Sequence, residues 1–306
     1  MQTQSQPILK NTNGFKMSII RFTLNTETLP VFIPTMKSTA DSTTIYSFTM
    51  DYNGISYQQY MVYQPQNLNS VDPDEYYYIY SYQFLIYLVN NCIASCLTGL
   101  SAITSLQTDV SPVMSFDPNT KKCTLTLDNT FFGYNEANKI NIYMNYAMYS
   151  IFASLPASQV NLNYSGKDYQ VNNTFTADPT VLQQDYSTVA LWNPVSSVIF
   201  TSNLLPIYQS NTPPIQTYVE GSLSNNSTNS NFMNILTDFI ADDLEFTPYI
   251  QYAPSLYRYL SLKPNTEVRN LDLQVYWQNK NNGMLKPLYI ATGGSASVKI
   301  FLTTDY

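Results

Sequence analysis

Short runs in which hydrophobic and polar residues alternate recur along the chain and predict β-strands. Runs of this kind, or short β-like runs beside them, lie at residues 18–24, 44–50, 55–63, 122–128, 139–144, 268–277, 285–290 and 297–302, and a further strand is predicted at 195–201, where apolar residues fall on both faces. Asparagine, proline and glycine stand between them, as at residues 51–54, and indicate tight turns. About ten short strands joined in this way predict an antiparallel β-sandwich.

The run at 268–277 has the most regular alternation. One side of this run carries apolar residues and the other side carries polar residues. The apolar residues are Leu271, Leu273, Val275 and Trp277. We expect the apolar side to face the core, because a slip of one residue would turn that whole side to water.

One segment has helical spacing instead. Its apolar residues recur every three or four positions, which predicts one long helix near 82–98. They are Leu85, Leu88, Val89, Cys92, Ile93, Cys96, Leu97 and Leu100. Acidic residues at 72–75 are expected near its N-terminus, and a short helix is expected at 146–154.

The fold class is therefore mainly β, an antiparallel sandwich with helical insertions. We expect a flexible arm over 1–17, one domain over 18–306 and an exposed loop at 209–231.

Composition argues against catalysis. The 306 residues include no histidine, 27 tyrosines and only 11% charged residues. Histidine is the usual proton shuttle and metal ligand, whereas tyrosine gives a large contact area with one polar tip. Nucleophile motifs and phosphate-binding glycine loops are missing from the sequence as well. We expect a structural or binding protein with no cofactor, not an enzyme.

The charge and the cysteines restrict the partners. The net charge is −7 with 14 basic residues, so direct binding of nucleic acid is not expected. The apolar segment near 86–100 is interrupted by polar residues, so no membrane span is expected. Cys92, Cys96 and Cys123 are interpreted as buried hydrophobic residues. An N-terminus without a secretory signal predicts synthesis in a reducing compartment, the host cytoplasm in the viral interpretation below.

Two groups of residues are candidate sites. The densest acidic cluster could hold a calcium ion at a subunit contact, although a solvated turn is the simpler interpretation; it consists of Asp238, Asp242, Asp243 and Glu245. Alternation within the tyrosine-rich segments would bury one set of rings and expose the other. The candidates for a subunit interface are Tyr76, Tyr78, Tyr80, Tyr257 and Tyr259. Trp192 and Trp277 are expected in the core.

Several segments resemble viral jelly-roll capsid proteins. They are 76–91 (YYYIYSYQFLIYLVNN), 191–206 (LWNPVSSVIFTSNLLP), 235–239 (ILTDF), 268–277 (VRNLDLQVYW) and 297–302 (SVKIFL). The chain is most similar in these patterns to minor capsid or penton proteins of virophages, polinton-like viruses and adintoviruses. The resemblance implies a jelly-roll subunit of a virion that forms rings, pentamers in the penton case, and that contacts other capsid subunits. It implies no catalytic residues.

The resemblance leaves two other functions open. A β-sandwich of this kind could bind a host glycan or receptor through loops such as 209–231. It could also coat a genome, but the first 40 residues hold only Lys10, Lys16, Arg21 and Lys37 as basic residues. That shortage favours a vertex or minor capsid subunit, whose N-terminal arm would order against a neighbouring subunit.

Overall fold

The computed structural model describes residues 6–66, 77–108, 110–136, 138–162, 165–174, 179–208, 234–240, 249–290 and 293–304. The strands are β1 (Phe15–Asn25), β2 (Met36–Ser38), β3 (Thr43–Tyr52), β4 (Ile55–Val62), β5 (Val113–Asp117), β6 (Lys122–Leu127), β7 (Asn141–Met144), β8 (Ala157–Gln159), β9 (Tyr169–Val171), β10 (Thr180–Gln183), β11 (Val195–Ser202), β12 (Asn234–Ile240), β13 (Tyr249–Tyr252), β14 (Leu260–Ser261), β15 (Gln274–Asn279), β16 (Leu285–Pro287) and β17 (Ala296–Thr304). The helices are α1 (Tyr82–Ile103), α2 (Asn129–Phe132), α3 (Tyr146–Ile151) and α4 (Val189–Trp192).

The chain divides into two compact units. The first combines Met1–Leu29 with Pro194–Tyr306, and the second is Pro30–Asn193. This differs from the expected single domain over 18–306. Its physical reason is that β1 pairs with β17, so both ends of the chain share one core while the segment between them builds its own.

The described residues that precede β1 are tied to the rest of the first unit. Leu9 forms a bridge with Val268, and β1 already begins at Phe15. Thr12 is fully buried, and its hydroxyl donates to the carbonyl oxygens of Lys263 at 2.5 Å and Thr266 at 3.1 Å. Residues 6–17 therefore differ from the flexible arm that the sequence predicts, because the hydrogen bonds of the buried Thr12 and the bridge at Leu9 hold them against the rest of the first unit.

The first unit is a sandwich of two antiparallel sheets. In one sheet β1 lies between β17 and the consecutive strands β13 and β14, and the other has the order β12-β11-β15-β16. Alternate side chains of the two sheets meet in one core. Phe22 of β1 packs on Phe200 of β11 and Phe239 of β12 with ring centroids 4.8 and 4.5 Å apart.

The two long edges of this sandwich differ. At one edge β12 lies near β13, since the rings of Phe239 and Tyr252 stack at 5.3 Å. At the other edge lie β17 and β16, each of which pairs with a single strand among the described residues. Val298, Ile300 and Leu302 on the inward side of β17 are only half-buried.

The second unit consists of a six-stranded antiparallel sheet, a three-stranded sheet and α1. The larger sheet has the order β2-β3-β7-β9-β8 with β4 beside β3, and the smaller has the order β10-β6-β5. Asn53 and Gly54, both with positive φ, form the predicted turn between β3 and β4. The alternation in β6 is also confirmed, since Cys123, Leu125 and Leu127 are buried.

Helix α1 is the predicted long helix, and its predicted apolar face is buried. It begins at the N-cap Ser81, whose hydroxyl accepts from the Phe84 N–H at 3.2 Å. The acidic residues expected at its N-terminus lie outside the described residues. By length and composition α1 could cross a membrane, but it lies against β3, β4 and β5 as the core helix of its unit.

The structure corrects the strand predicted at 268–277. Strand β15 begins only at Gln274, and Leu271 is 40% exposed. The reason is Asp272, whose carboxylate accepts from the backbone N–H groups of Asn203 and Leu204, both at 2.9 Å. This turn-like contact replaces strand pairing before β15. Trp277 and Trp192 are core residues as predicted.

Candidate subunit interface

Of the predicted interface tyrosines near α1, Tyr78 and Tyr80 lie among the described residues. Tyr76 lies outside the described residues. Tyr78 is only 8% exposed, which corrects its assignment, because the chain before α1 runs beside Phe32 and carries this side chain into the core. Tyr80 is half-buried, and its ring meets that of Tyr78 edge-to-face at 6.1 Å.

Tyr257 and Tyr259 are exposed, and their place in a subunit interface stays a prediction. Their rings meet edge-to-face with centroids 6.4 Å apart. They belong to the connection between β13 and β14, so they lie along the β12–β13 edge of the sandwich. Leu256 beside them is 86% exposed, and Ile240 at the end of β12 is 71% exposed. This edge therefore presents apolar and aromatic side chains to solvent.

The acidic cluster gives no metal site that can be described. Asp238 lies on β12 and forms an exposed ion pair with Arg258 at 3.3 Å. Asp242, Asp243 and Glu245 lie outside the described residues. Within the described part of the chain, no group of three histidine, cysteine, aspartate or glutamate side chains is arranged to hold a metal ion. Calcium binding here stays a prediction.

A cleft of about 500 Å³ opens at the other edge of the sandwich. Its walls come from β1, β15, β16 and β17 and the residues that flank them, and they are mostly apolar: Leu24, Leu273, Gln274, Val275, Tyr276, Pro287, Leu288, Ile290, Ala296 and Val298. The Tyr276 hydroxyl donates to Gln274 Oε1 at 3.0 Å. Nearby, the Nζ atom of Lys286 lies 5.6 Å from the centroid of the Trp277 ring. Burial lowers the pKa of Lys286 to about 8.

A tyrosine cluster in the second unit escaped the sequence reasoning. The rings of Tyr149 on α3 and Tyr169 on β9 stack at 3.8 Å, and Tyr146 lies 6.3 Å from Tyr169. Burial and the neighbouring phenols of Tyr169 and Tyr186 raise the pKa of Tyr149. Tyr146 and Tyr186 are exposed. The helical spacing of Tyr146 and Tyr149 was a visible signal, but the other two rings join them only through the fold.

The local structure fixes this cluster. The side chain of Asn145 caps α3 by accepting from the Met148 N–H at 2.9 Å. The buried carboxylate of Asp168 accepts from the Tyr146 N–H at 2.9 Å and from the Ser165 N–H at 3.0 Å. Because Asp168 immediately precedes Tyr169, the same contact holds α3 and β9 together and brings their tyrosines into register.

The three cysteines do not supply reactive groups. Cys92, Cys96 and Cys123 are free and buried, as predicted. The Cys92 thiol donates to the Gln59 carbonyl oxygen at 3.3 Å and the Cys96 thiol to that of Tyr57 at 3.2 Å. Burial raises the pKa of each thiol to about 12, so all three are protonated near neutral pH and pack as small apolar side chains.

The pattern of the Sputnik minor capsid protein V18/19 family matches residues 1–303 of the chain. The chain belongs to this family. It is 25% identical to the structural protein V19 of the Sputnik virophage over 190 residues, which are 55% of this chain and 83% of V19. It is 28% identical to the uncharacterized protein V18 of the same virophage over 116 residues, 32% of this chain and 70% of V18.

The fold is also found in two solved structures. A chain of the Sputnik virophage, determined by cryo-EM, superposes with a TM-score of 0.74 at 22% identity, covering 98% of this chain and 90% of that one. The mavirus penton protein superposes with a TM-score of 0.64 at 19% identity, and the match covers 99% of this chain and 90% of the mavirus protein. The predicted jelly-roll class is thereby confirmed.

Membership in the family assigns the general function. The protein is a structural component of a virus capsid and not an enzyme, it is located in the virion, and its partners include other capsid subunits. The resemblance to minor capsid and penton proteins of virophages is confirmed.

Proposed function

We propose that the chain is a vertex subunit that assembles into a homopentameric ring within the capsid. The likeness to the mavirus penton protein over 99% of the chain is the observation that carries this proposal. The ring would contact the surrounding capsid subunits, and no direct contact with the genome is required, in keeping with the net charge of −7.

The exposed surfaces of the first unit support self-association. A ring requires a heterologous interface, in which two different patches of the same chain meet and the rotation closes. The two edges of the sandwich present different surfaces, an aromatic segment near Tyr257 and an apolar cleft near Val298. A stable contact buries roughly 1,200–2,000 Å² in total, so we expect each interface to extend well beyond these two features.

Native mass spectrometry of the purified chain, with negative-stain images of the same sample, tests the ring. We expect a species of five copies and fivefold particles at micromolar concentration. A chain that stays monomeric at the highest attainable concentration, or a ring of another size, would overturn the pentamer.

A second candidate function is attachment to a host glycan. The stacked Tyr149 and Tyr169 rings, with exposed Tyr146 and Tyr186 beside them, form the kind of aromatic platform on which a sugar ring can stack. The loop 209–231, first considered for this role, lies outside the described residues. Saturable binding on a glycan array that Tyr146→Ala abolishes would support attachment. Tyr134→Ala is the matched control, because Tyr134 is equally exposed and lies outside the cluster.

We also propose synthesis in the host cytoplasm. The three free, buried thiols support it, because a reducing compartment leaves such cysteines unpaired.

A further inference from the structure

The most exposed large apolar side chain among the described residues lies on the β12–β13 edge. Leu256 is 86% exposed, and Tyr257 and Tyr259 follow it. We call residues 256–259 the edge loop. Its one charged residue, Arg258, is paired with Asp238, so burying the loop would not leave an unpaired charge, which costs more than burying a paired one.

The opposite edge carries a concave apolar surface, the cleft bounded by β17 and β16, which we call the edge cleft. Val275 and Val298 form its walls, Ile290 is 45% exposed, and Ala296 lies exposed at the end of β17. A volume of about 500 Å³ is in the range of sites that take ligands larger than one side chain. Gln274 and Tyr276 supply the polar groups that a buried phenol requires.

We propose that the edge loop of one copy inserts into the edge cleft of the next copy around the ring. This inference rests on the proposed ring and names the surfaces that form its interface. The occupant is a second copy because loop and cleft lie on opposite edges of one sandwich, which is the arrangement that a head-to-tail contact needs. Within a single sandwich the loop lies at the edge away from the cleft, so the contact is between copies.

The chemistry of the two surfaces matches. Leu256 supplies an aliphatic group for Val275, Val298 and Ile290, and a tyrosine hydroxyl of the loop can hydrogen-bond to the amide of Gln274. Tyrosine side chains that become fully desolvated at the centre of a contact are among the residues on which affinity depends most, and burial of the leucine side chain adds apolar area. The rest of the interface would exclude water around them.

Two single substitutions test the assignment, one on each surface. Leu256→Asp places a charge on the edge loop, and Ala296→Arg fills the edge cleft. Both positions are exposed, so the isolated subunit should fold normally. We expect each substitution to raise the concentration at which half of the chains are in rings by at least about tenfold. Ile290→Asp provides a second cleft variant if Ala296→Arg fails to fold.

A matched control is Leu162→Asp. Leu162 is 77% exposed and lies in the second unit, so this variant introduces the same charge at an equally accessible leucine outside the proposed contact. We expect its rings to form as in the unmodified chain.

Mixing the two variants gives the decisive result. The intact loop of the Ala296→Arg chain can enter the intact cleft of the Leu256→Asp chain. The two surfaces that remain free in this dimer are the charged loop and the filled cleft, so no further copy can be added. At the lowest concentration at which the unmodified chain is fully in rings, we therefore expect native mass spectrometry of an equal mixture to show a dimer containing one copy of each variant, and no rings. Monomers only in the mixture, or either variant alone forming rings at the same concentration as the unmodified chain, would overturn this assignment, while rings of the unmodified chain leave the proposed function in place. An unmodified chain that forms no ring would overturn both.

Discussion

At the scale of single residues, this protein uses polar groups to close its own fold. Asp272 is an example: Ser202 donates a hydroxyl to its carboxylate, and two backbone N–H groups donate as well. Desolvation would raise the pKa of Asp272, but these hydrogen bonds outweigh it and lower the pKa. Such a group stabilises the folded chain through its ionised form.

Asp272→Asn should destabilise the first unit by about 1 kcal/mol near neutral pH, because it weakens charge-assisted hydrogen bonds. Since the folded pKa is lowered, the contribution of Asp272 is present above about pH 4, the unfolded value, and is lost as the pH falls through the folded value. Melting temperatures measured between pH 7 and pH 3 should therefore fall less steeply in this variant. Glu27→Gln, which removes the same charge from an exposed site, is the control. An equal loss of stability and an equal change in the pH dependence of the melting temperature in this control would contradict the role of Asp272.

The thiols give a second test at this scale. With pKa values of about 12, Cys92, Cys96 and Cys123 should not react with a thiol reagent at pH 8 while the chain is folded, and all three should react in guanidinium. Rapid labelling of any of them in the native protein would contradict their burial.

At the scale of elements, α1 depends on close contact with β4. A Cβ atom added to Gly99 would lie 2.2 Å from the ring of Tyr57, so the glycine is required by packing and not by backbone conformation. The sequence could predict the helix and its buried face from spacing alone, but not this contact, because β4 meets α1 only through the fold.

Gly99→Ala should lower the melting temperature, although alanine favours a helix by about 1 kcal/mol over glycine, because the Tyr57 ring must move. In a Tyr57→Ala background the same change should become neutral or stabilising. A double-mutant cycle by thermal unfolding measures the difference, and equal effects in both backgrounds would contradict the contact.

The N-terminus is a second case at the scale of elements. Glutamine, asparagine and threonine predict an arm, yet Thr12 is buried and hydrogen-bonded to Lys263 and Thr266. These partners lie some 250 positions further along the chain. No local pattern could reveal that pairing. We expect deletion of residues 1–17 to lower the melting temperature of the isolated chain, since it removes these hydrogen bonds and the start of β1. An unchanged melting temperature would contradict the contact.

At the scale of the whole molecule, the sequence predicted the class of fold and of function better than the surfaces. Alternation and turns predict the strands because they record which side chains are buried. The division into two units follows instead from the pairing of β1 with β17, a contact between the two ends of the chain. The edge cleft likewise draws its walls from β1, β15, β16 and β17 and their flanking residues, and no sequence pattern brings these together.

The central claim is that copies adhere through apolar and aromatic surfaces and not through ion pairs. Ion pairs between exposed groups weaken with salt, whereas apolar contacts do not and are even strengthened by some salts. Sedimentation velocity of the unmodified chain at 0.05 and 1 M NaCl measures this most directly. We predict the same ring at both concentrations, with no loss of affinity at high salt; rings that dissociate to monomers in 1 M NaCl would contradict the account.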